Sequence, residues 1–335
     1  MILVTGGTGL VGSHLLYFLL KENETALAIK RSDSNLRPVK RVFESYNAIA
    51  LFEKITWVTA DILDVPALED AFIGVTHVYH CAALLSFSES DYHLLKKTNI
   101  EGTANVVNLC IANHIKKLCH VSSVAALGAS IDSSSISEET HWNPEADNNG
   151  YAISKFGAEM EVWRGSQEGL HVIMVQPSVI IGAGHWQGVS GSLFSKVKKG
   201  IPKYPRGGTG FVDVKDVVKA LHLLMKSDIT NESFLLSGAN LTYQEVITLI
   251  AQNIGAKNPT TSAKDWQLKL LAFIQKIGSV FTGKKTSLNK ESIRSLQHMS
   301  EYDGSKITVA LPFEYSNIEE TIKRVSTAFL ATKTL

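Results

Sequence analysis

The amino-acid sequence predicts an α/β fold in which a doubly wound parallel sheet is joined to a smaller, mostly helical C-terminal lobe. Three observations lead to this prediction. Short apolar strands alternate with longer helical stretches over residues 1–176, glycines join the first strand to the first helix, and only helical periodicity follows Thr242. Strands that alternate with helices indicate βαβ units, whose strands pair in parallel and whose helices cover both faces of the sheet.

The predicted elements follow one another in order along the chain. Six strands are expected before residue 177, at Ile2–Thr5, Ala26–Ile29, Ile55–Val58, Val75–Cys81, Lys117–Ser122 and Val172–Gln176. Helices are expected at Leu10–Lys21, Asp91–Asn113 and Ala152–Gln167. Glycines and prolines crowd residues 182–210, and one further pair follows, the helix Val214–Met225 and the strand Ser233–Leu236.

Composition excludes several classes of function. The 33 basic residues nearly balance the 32 acidic ones, which gives no electrostatic reason to expect nucleic acid or an anionic membrane as a partner. Three cysteines lack the spacing of a disulfide framework or a metal site, so we expect no metal and a reducing, cytoplasmic location. No targeting leader is recognised. The most apolar stretch, Trp266–Phe281, contains two lysines and is predicted to pack on the protein rather than to contact a membrane.

The glycine-rich segment after the first strand has the pattern of a phosphate loop. It reads TGGTGLVG from Thr5 to Gly12. Gly6 permits a tight turn, Gly9 lets a pyrophosphate approach the backbone, and Gly12 lets the helix and the strand pack closely. The free N–H groups of the helix N-terminus would face the phosphates. We therefore predict dinucleotide binding by the loop residues Gly6, Thr8, Gly9, Leu10, Val11 and Gly12.

Three further motifs follow this loop in a fixed order. They are Asn99-Ile-Glu-Gly-Thr103, Val121-Ser-Ser-Val-Ala-Ala-Leu-Gly128 and Tyr151-Ala-Ile-Ser-Lys155. Together with the GxxGxxG loop, this order resembles the extended short-chain dehydrogenase/reductase family, from Met1 to about Ser237. The resemblance implies a Rossmann-type NAD(P)-binding domain over 1–176 plus 209–238, and a substrate-binding lobe over 177–208 plus 239–335.

The resemblance also implies roles for individual residues. Tyr151, Lys155 and Ser123 would be catalytic, and Asn99 would help to organise the active site. Asp61 and Ile62 would contact the adenine. The remaining cofactor contacts would come from Cys81, Ala82, Ala83, Ser122, Pro177 and Val179.

The chemistry of carbonyl reduction explains why these residue types occur together. Hydride transfer to a carbonyl leaves an alkoxide that needs a proton, and a free tyrosine, with a pKa near ~10, is a poor base for the reverse reaction. Tyr151 and Lys155 are four residues apart, on one face of a helix, so the ammonium can favour the phenolate. Lys155 could also hold the nicotinamide ribose. Ser123 would donate a hydrogen bond to the substrate oxygen.

Basic residues at the end of the second strand indicate which nicotinamide cofactor is used. Enzymes that prefer NAD usually place an acidic residue there to bind the ribose 2′-hydroxyl. This chain has Lys30, Arg31 and Ser32 instead, and a guanidinium can bind a 2′-phosphate bidentately. NADP(H) is the predicted cofactor, with NAD(H) as the alternative.

The extended family contains both carbonyl reductases and sugar-nucleotide epimerases or dehydratases. Sugar-nucleotide members commonly show Arg-Pro-x-Asn-Val-Tyr-Gly where this chain has Gln176-Pro-Ser-Val179-Ile-Ile-Gly182. The form seen here resembles the dihydroflavonol-4-reductase and 3β-hydroxysteroid dehydrogenase branch, which favours a reductase. The alternatives are an epimerase/dehydratase and a non-catalytic sensor of NADP(H). The sensor is disfavoured because the tyrosine, the lysine and the serine are all present.

The residues expected near the substrate are mostly aromatic or apolar. Leu84, Phe87, His185, Trp186 and Tyr204 fall where this family contacts substrate, which suggests a moderately hydrophobic aldehyde or ketone, but packing between the lobes is an equal alternative. Asp213 and Asp216 are interpreted as structural residues at a helix start. The resemblance further implies a homodimer through the helices 91–113 and 152–167, although their outer faces are not apolar enough to require one.

Overall fold

A computed structural model describes residues 1–128, 135–268 and 290–332. The strands are β1 (Ile2–Thr5), β2 (Ala26–Lys30), β3 (Thr56–Thr59), β4 (His77–His80), β5 (Lys117–Val121), β6 (Val172–Pro177), β7 (Val179–Ile181), β8 (Lys203–Tyr204), β9 (Gly208–Asp213), β10 (Glu232–Leu236), β11 (Ala239–Thr242) and β12 (Thr261–Ser262). The helices are α1 (Leu10–Lys21), α2 (Arg37–Ser45), α3 (Ile49–Phe52), α4 (Val65–Ala71), α5 (Tyr92–Leu95), α6 (Gly102–Ala112), α7 (Gly150–Gln167), α8 (Val189–Lys199), α9 (Val214–Lys226), α10 (Tyr243–Ile254), α11 (Lys290–Gln297), α12 (Lys306–Ala310) and α13 (Ile318–Thr332). Within this described part, no helix is both long and apolar enough to cross a membrane.

The central sheet has seven parallel strands in the order β10-β6-β5-β4-β1-β2-β3, which confirms the predicted fold class. The chain builds outward from β1 through β2 and β3, and then returns to the other side of β1 with β4. The direction of winding therefore reverses between β1 and β4. In sheets of this kind, ligands bind at the carboxyl ends of the strands beside such a switch point.

Helices cover both faces of the sheet with apolar side chains. On one face, Leu15 and Leu16 of α1 pack in a cluster with Leu221 of α9. On the other face, Val106 and Val107 of α6 pack with Leu118 of β5 and with further residues of the sheet and of α7. These side chains are fully buried. Since both faces are covered, only the edges and the strand ends can form an open site.

The segment 209–238 is divided between two sheets. The helix α9 and the strand β10 return to the central sheet, whereas β9 pairs with β7 and β11 in a separate three-stranded sheet. The expectation of helices alone after Thr242 is wrong, because β12 pairs with β8. The helix predicted at Trp266–Phe281 lies mostly outside the described residues.

The single helix predicted at Asp91–Asn113 is interrupted. α5 and α6 are joined by a π-helical segment at Lys96–Glu101, which contains Asn99. A π-helical turn shifts the residues that follow it around the helix axis, and such turns are frequent at functional sites.

Candidate active site

The glycine loop between β1 and α1 has the shape that a dinucleotide requires. Gly6 has a φ of +67°, and a Cβ there would lie 2.5 Å from the Ala82 nitrogen. A Cβ at Gly12 would lie 2.2 Å from the Gly6 oxygen. Gly9 begins α1 without a side-chain cap, and the first turn contains no acidic residue. The loop residues therefore fit a cofactor pyrophosphate, which would accept hydrogen bonds from the free N–H groups of the helix.

Ser123 and Tyr151 come together beyond the end of β5. Ser123 begins the short 3₁₀ helix Val124–Ala126, and its hydroxyl accepts a hydrogen bond from the Ala125 nitrogen at 3.2 Å. The Ser123 side chain is also hydrogen-bonded to Tyr151. Burial raises the pKa of Tyr151 to about 12, while the bond to Ser123 lowers it. In this state Tyr151 is a protonated phenol, able to donate its proton.

Lys155 lies one turn further along α7 and is almost completely buried. Its Nζ donates to the Val121 carbonyl oxygen at 2.9 Å, which ties α7 to the end of β5. Burial lowers the pKa of Lys155 to about 8, and the nearby Glu159 carboxylate raises it. The pKa of Lys155 therefore lies closer to neutral pH than that of an exposed lysine.

Asn99 holds the backbone at Leu84, in the segment that follows β4. Its Oδ1 accepts from the Leu84 nitrogen at 2.7 Å, and its Nδ2 donates to the Leu84 oxygen at 2.9 Å. Nδ2 also donates to the Ser154 hydroxyl at 2.9 Å, and that hydroxyl donates to the Tyr151 carbonyl oxygen. Asn99 thus connects the backbone at Leu84 to the helix that carries Tyr151 and Lys155.

A hydrogen-bonded chain that the sequence analysis missed runs behind Asn99. The Thr103 hydroxyl donates to the Asn99 carbonyl oxygen at 2.6 Å, so its oxygen accepts from His80 Nε2 at 3.0 Å. His80 Nδ1 then accepts from the Thr5 hydroxyl at 2.6 Å. This order of donors fixes the tautomer of a histidine that is kept neutral, because burial lowers its pKa to about 3. The chain joins the strand before the glycine loop to the π-helical segment.

Glu159 was also missed. It lies four residues after Lys155 on α7, is only 4% exposed, and accepts from Gln176 Nε2 at 2.9 Å. The four-residue spacing between Lys155 and Glu159 could have indicated it, since residues four apart share a helix face. The motif around Gln176 bears on substrate class and gives no sign of this contact with α7.

The residues predicted to favour NADP(H) over NAD(H) lie at the end of β2 and directly after it: Lys30, Arg31 and Ser32. Arg31 is largely exposed and pairs with Asp33 at 3.4 Å. Asp61 folds back to accept from the Leu63 nitrogen, and Ile62 is buried against Gly102. Cys81 and Ala82 lie against Gly6 of the glycine loop.

The five predicted substrate residues separate into two groups. The Phe87 ring packs edge-to-face on Tyr151 with the ring centres 5.9 Å apart, and the Leu84 backbone is bonded to Asn99, so both lie beside residues that are predicted to be catalytic. Trp186 and Tyr204 instead pack against the core of the C-terminal lobe, and the Trp186 nitrogen donates to Thr332. His185 belongs to neither group, and its Nε2 is hydrogen-bonded to the Ser13 hydroxyl of α1.

Comparison with known proteins identifies the family. The family model of the NAD-dependent epimerase/dehydratase family matches residues 2–236, more than half of the chain. This chain belongs to that family. The family confirms the predicted extended short-chain dehydrogenase/reductase and the NAD(P)-dependent oxidoreductase class.

Individual relatives cover nearly the whole chain. A putative dihydroflavonol 4-reductase of Synechocystis sp. is 26% identical and covers 95% of this chain and 91% of its own. Cinnamoyl-CoA reductase 1 of Petunia hybrida is 25% identical, covering 89% and 92%. Among solved structures, UDP-glucose 4-epimerase of Thermotoga maritima superposes with a TM-score of 0.78 at 22% identity, covering 99% of both chains, which supports the fold.

Proposed function

We propose that this protein is an NADP(H)-dependent reductase that converts a carbonyl group of a small, moderately hydrophobic aldehyde or ketone into an alcohol, with Tyr151 as its acid and base. The observation that carries this proposal is the cluster of Ser123, Tyr151 and Lys155 beyond the end of β5. The cluster and the glycine loop both lie at the edge where the parallel strands have their carboxyl ends, beside the switch point between β1 and β4.

Each side chain has a defined part in the reaction. When NADPH is bound, it supplies a hydride to the carbonyl carbon. Tyr151 would donate its proton to the carbonyl oxygen, and Ser123 would hold that oxygen by a hydrogen bond. The Lys155 ammonium would stabilise the phenolate that remains and would bind the ribose hydroxyls of the cofactor. Phe87, packed on Tyr151, would exclude water from one side of the substrate.

Two features support a reductase over a sugar-nucleotide enzyme. Gln176 is 2% exposed and bound to Glu159, so its side chain is not available to a substrate diphosphate. The Val179 side chain, on β7, has no donor for one. The relatives that are named as reductases also support a reductase.

The preference for NADP(H) rests on charge. Lys30 and Arg31 lie where a carboxylate would otherwise bind the ribose 2′-hydroxyl. Asp33 pairs with Arg31 at the surface, and a 2′-phosphate would replace it as the partner of the guanidinium.

The test is NADPH oxidation against a panel of aromatic and aliphatic aldehydes and ketones, followed by nicotinamide absorbance. Tyr151→Phe should abolish turnover, whereas Tyr92→Phe, the same change at a partly exposed tyrosine, should retain it. Binding of NADPH and NADH is measured on the same samples by nicotinamide fluorescence, and NADPH should bind more tightly.

Other outcomes would reject the proposal. Interconversion of UDP-sugars without net NADPH oxidation would indicate an epimerase. Tight NADPH binding without turnover of any carbonyl or sugar nucleotide would indicate a sensor. Equal affinities, or tighter binding of NADH, would overturn the cofactor preference.

A further inference from the structure

A buried carboxylate lies on the same face of α7 as Lys155. Glu159 follows Lys155 by one turn of α7, and both side chains are less than 5% exposed. The Glu159 Oε1 accepts from Gln176 Nε2 at 2.9 Å, so this hydrogen bond comes from a neutral donor on β6. An ionised group is costly to bury unless an opposite charge lies nearby. Burial accordingly raises the pKa of Glu159, whereas hydrogen bonds from Ser122 and Gln176 and the charge of Lys155 lower it.

Other titratable groups that face Lys155 carry little charge at neutral pH. His80 at the end of β4 and His120 on β5 are both held neutral, because burial lowers their pKa values. Burial raises the pKa of the Cys81 thiol to about 12, and Tyr151 on α7 is likewise a neutral phenol. Among the described residues that influence Lys155, Glu159 therefore supplies the negative charge.

We propose that Glu159 is a positioning residue that keeps Lys155 in its ammonium form, and that Gln176 anchors this carboxylate through a neutral donor so that its charge acts on Lys155. This inference rests on the proposed function, since it assigns a role to a group that acts on Lys155, the residue proposed to stabilise the Tyr151 phenolate. A basic residue at position 176 would compete with Lys155 for the carboxylate.

Burial and the Glu159 charge act in opposite directions on the pKa of Lys155, so the result of removing that charge can be predicted. Burial lowers the pKa of Lys155 to about 8, and Glu159 acts against this. Without the carboxylate the ammonium would lose its proton at a lower pH. Reduction needs the ammonium to stabilise the Tyr151 phenolate, so the loss of rate on the alkaline side of the pH profile should move to lower pH.

The first experiment measures kcat for carbonyl reduction as a function of pH. Glu159→Gln should move the alkaline limb down by about one pH unit, the size expected for loss of one nearby opposite charge. Glu159→Asp, which keeps the charge, should recover most of that shift. Glu161→Gln is the matched control on the same helix, because Glu161 pairs with Arg164 and lies more exposed. An alkaline limb that stays in place in Glu159→Gln would overturn the inference.

A second readout does not depend on turnover. The protein is labelled with lysine carrying ¹³C at the ε-carbon, and the Lys155 signal is identified by its loss in Lys155→Met. A Lys155 signal that titrates at lower pH in Glu159→Gln than in the unmodified protein supports the inference even if no carbonyl is reduced. Equal midpoints in the two folded proteins contradict it, whatever the substrate proves to be.

Discussion

His80 and His120 occupy matched positions on neighbouring strands but differ in their hydrogen bonds. They are paired in register across β4 and β5, their rings are 5.0 Å apart, and both are fully buried. His80 has hydroxyl partners at both nitrogens. Neither nitrogen of His120 has a hydrogen-bond partner among the described residues. An unpaired buried polar group costs free energy, so the two rings should differ in their contribution to stability.

The pair allows one substitution to be compared at two sites. His80→Leu leaves the Thr5 hydroxyl without an acceptor and should lower the free energy of unfolding by about 2–4 kcal/mol. His120→Leu removes two unpaired nitrogens and should change it by less than about 1 kcal/mol, or raise it. Urea unfolding of both variants at pH 7.5 provides the comparison. Equal losses at the two positions would show that His120 has partners of its own.

The contacts of α7 with the π-helical segment allow a prediction at the scale of elements. A Cβ on Gly157 would lie 2.5 Å from Cδ1 of Ile100, which is the residue after Asn99. Gly157→Val would therefore push on the segment that positions Asn99, and should cost about 1–3 kcal/mol of stability by overpacking. It should also lower kcat, because the contacts of Asn99 with Leu84 and Ser154 would shift.

Ile100→Ala in the Gly157→Val background tests this explanation. The smaller side chain makes room for the valine, so stability and kcat should both recover relative to Gly157→Val alone. Thermal melting and steady-state rates of the single and double variants form a double-mutant cycle. Additive losses would show that the two residues do not interact and that the valine acts elsewhere.

Local sequence patterns predicted much of the central sheet but not every element. The strand β1 and the helix α1 lie at the predicted residues, because their apolar periodicity and glycines are local signals. The π-helical turn was missed because one additional residue barely alters helical periodicity over 23 positions. The strands β7, β9 and β11 were not predicted, since their pairing in one sheet depends on contacts distant in the chain.

In the candidate site, too, local patterns indicated some residues, whereas contacts between distant parts of the chain were missed. Tyr151 and Lys155 share one helix and form a spaced motif, so sequence alone could indicate them. The bond between Glu159 and Gln176 joins a helix to a strand, and the bonds of His80 join β1, β4 and α6. Neither connection has a local pattern, because it exists only after the sheet has assembled.

At the scale of the whole molecule, one carboxylate joins the C-terminal helix to the sheet region. Asp213 ends β9 and caps α9 by accepting from the Lys215 nitrogen at 2.9 Å, in keeping with its interpretation as a helix-start residue. It also accepts from the Thr321 hydroxyl at 2.8 Å and forms an ion pair with Arg324, both on α13. Nearby, Asp216 accepts from the backbone and the hydroxyl of Ser316.

Removal of Arg324 should therefore weaken the attachment of the C-terminal helix. The Asp213 side chain is 2% exposed, so Arg324→Met would leave a buried carboxylate without its counter-ion and should cost about 2–4 kcal/mol.

Arg164→Met is the matched control: Arg164 is 37% exposed, close to the 33% of Arg324, but its partners Glu161 and Glu168 are 28% and 48% exposed. That change should cost less than about 1 kcal/mol. Asp213→Asn combined with Arg324→Met should recover part of the loss, because the neutral amide oxygen can still cap α9 without burying a charge. If urea unfolding gives equal losses for the two arginine variants, the buried carboxylate is not what holds α13 in place.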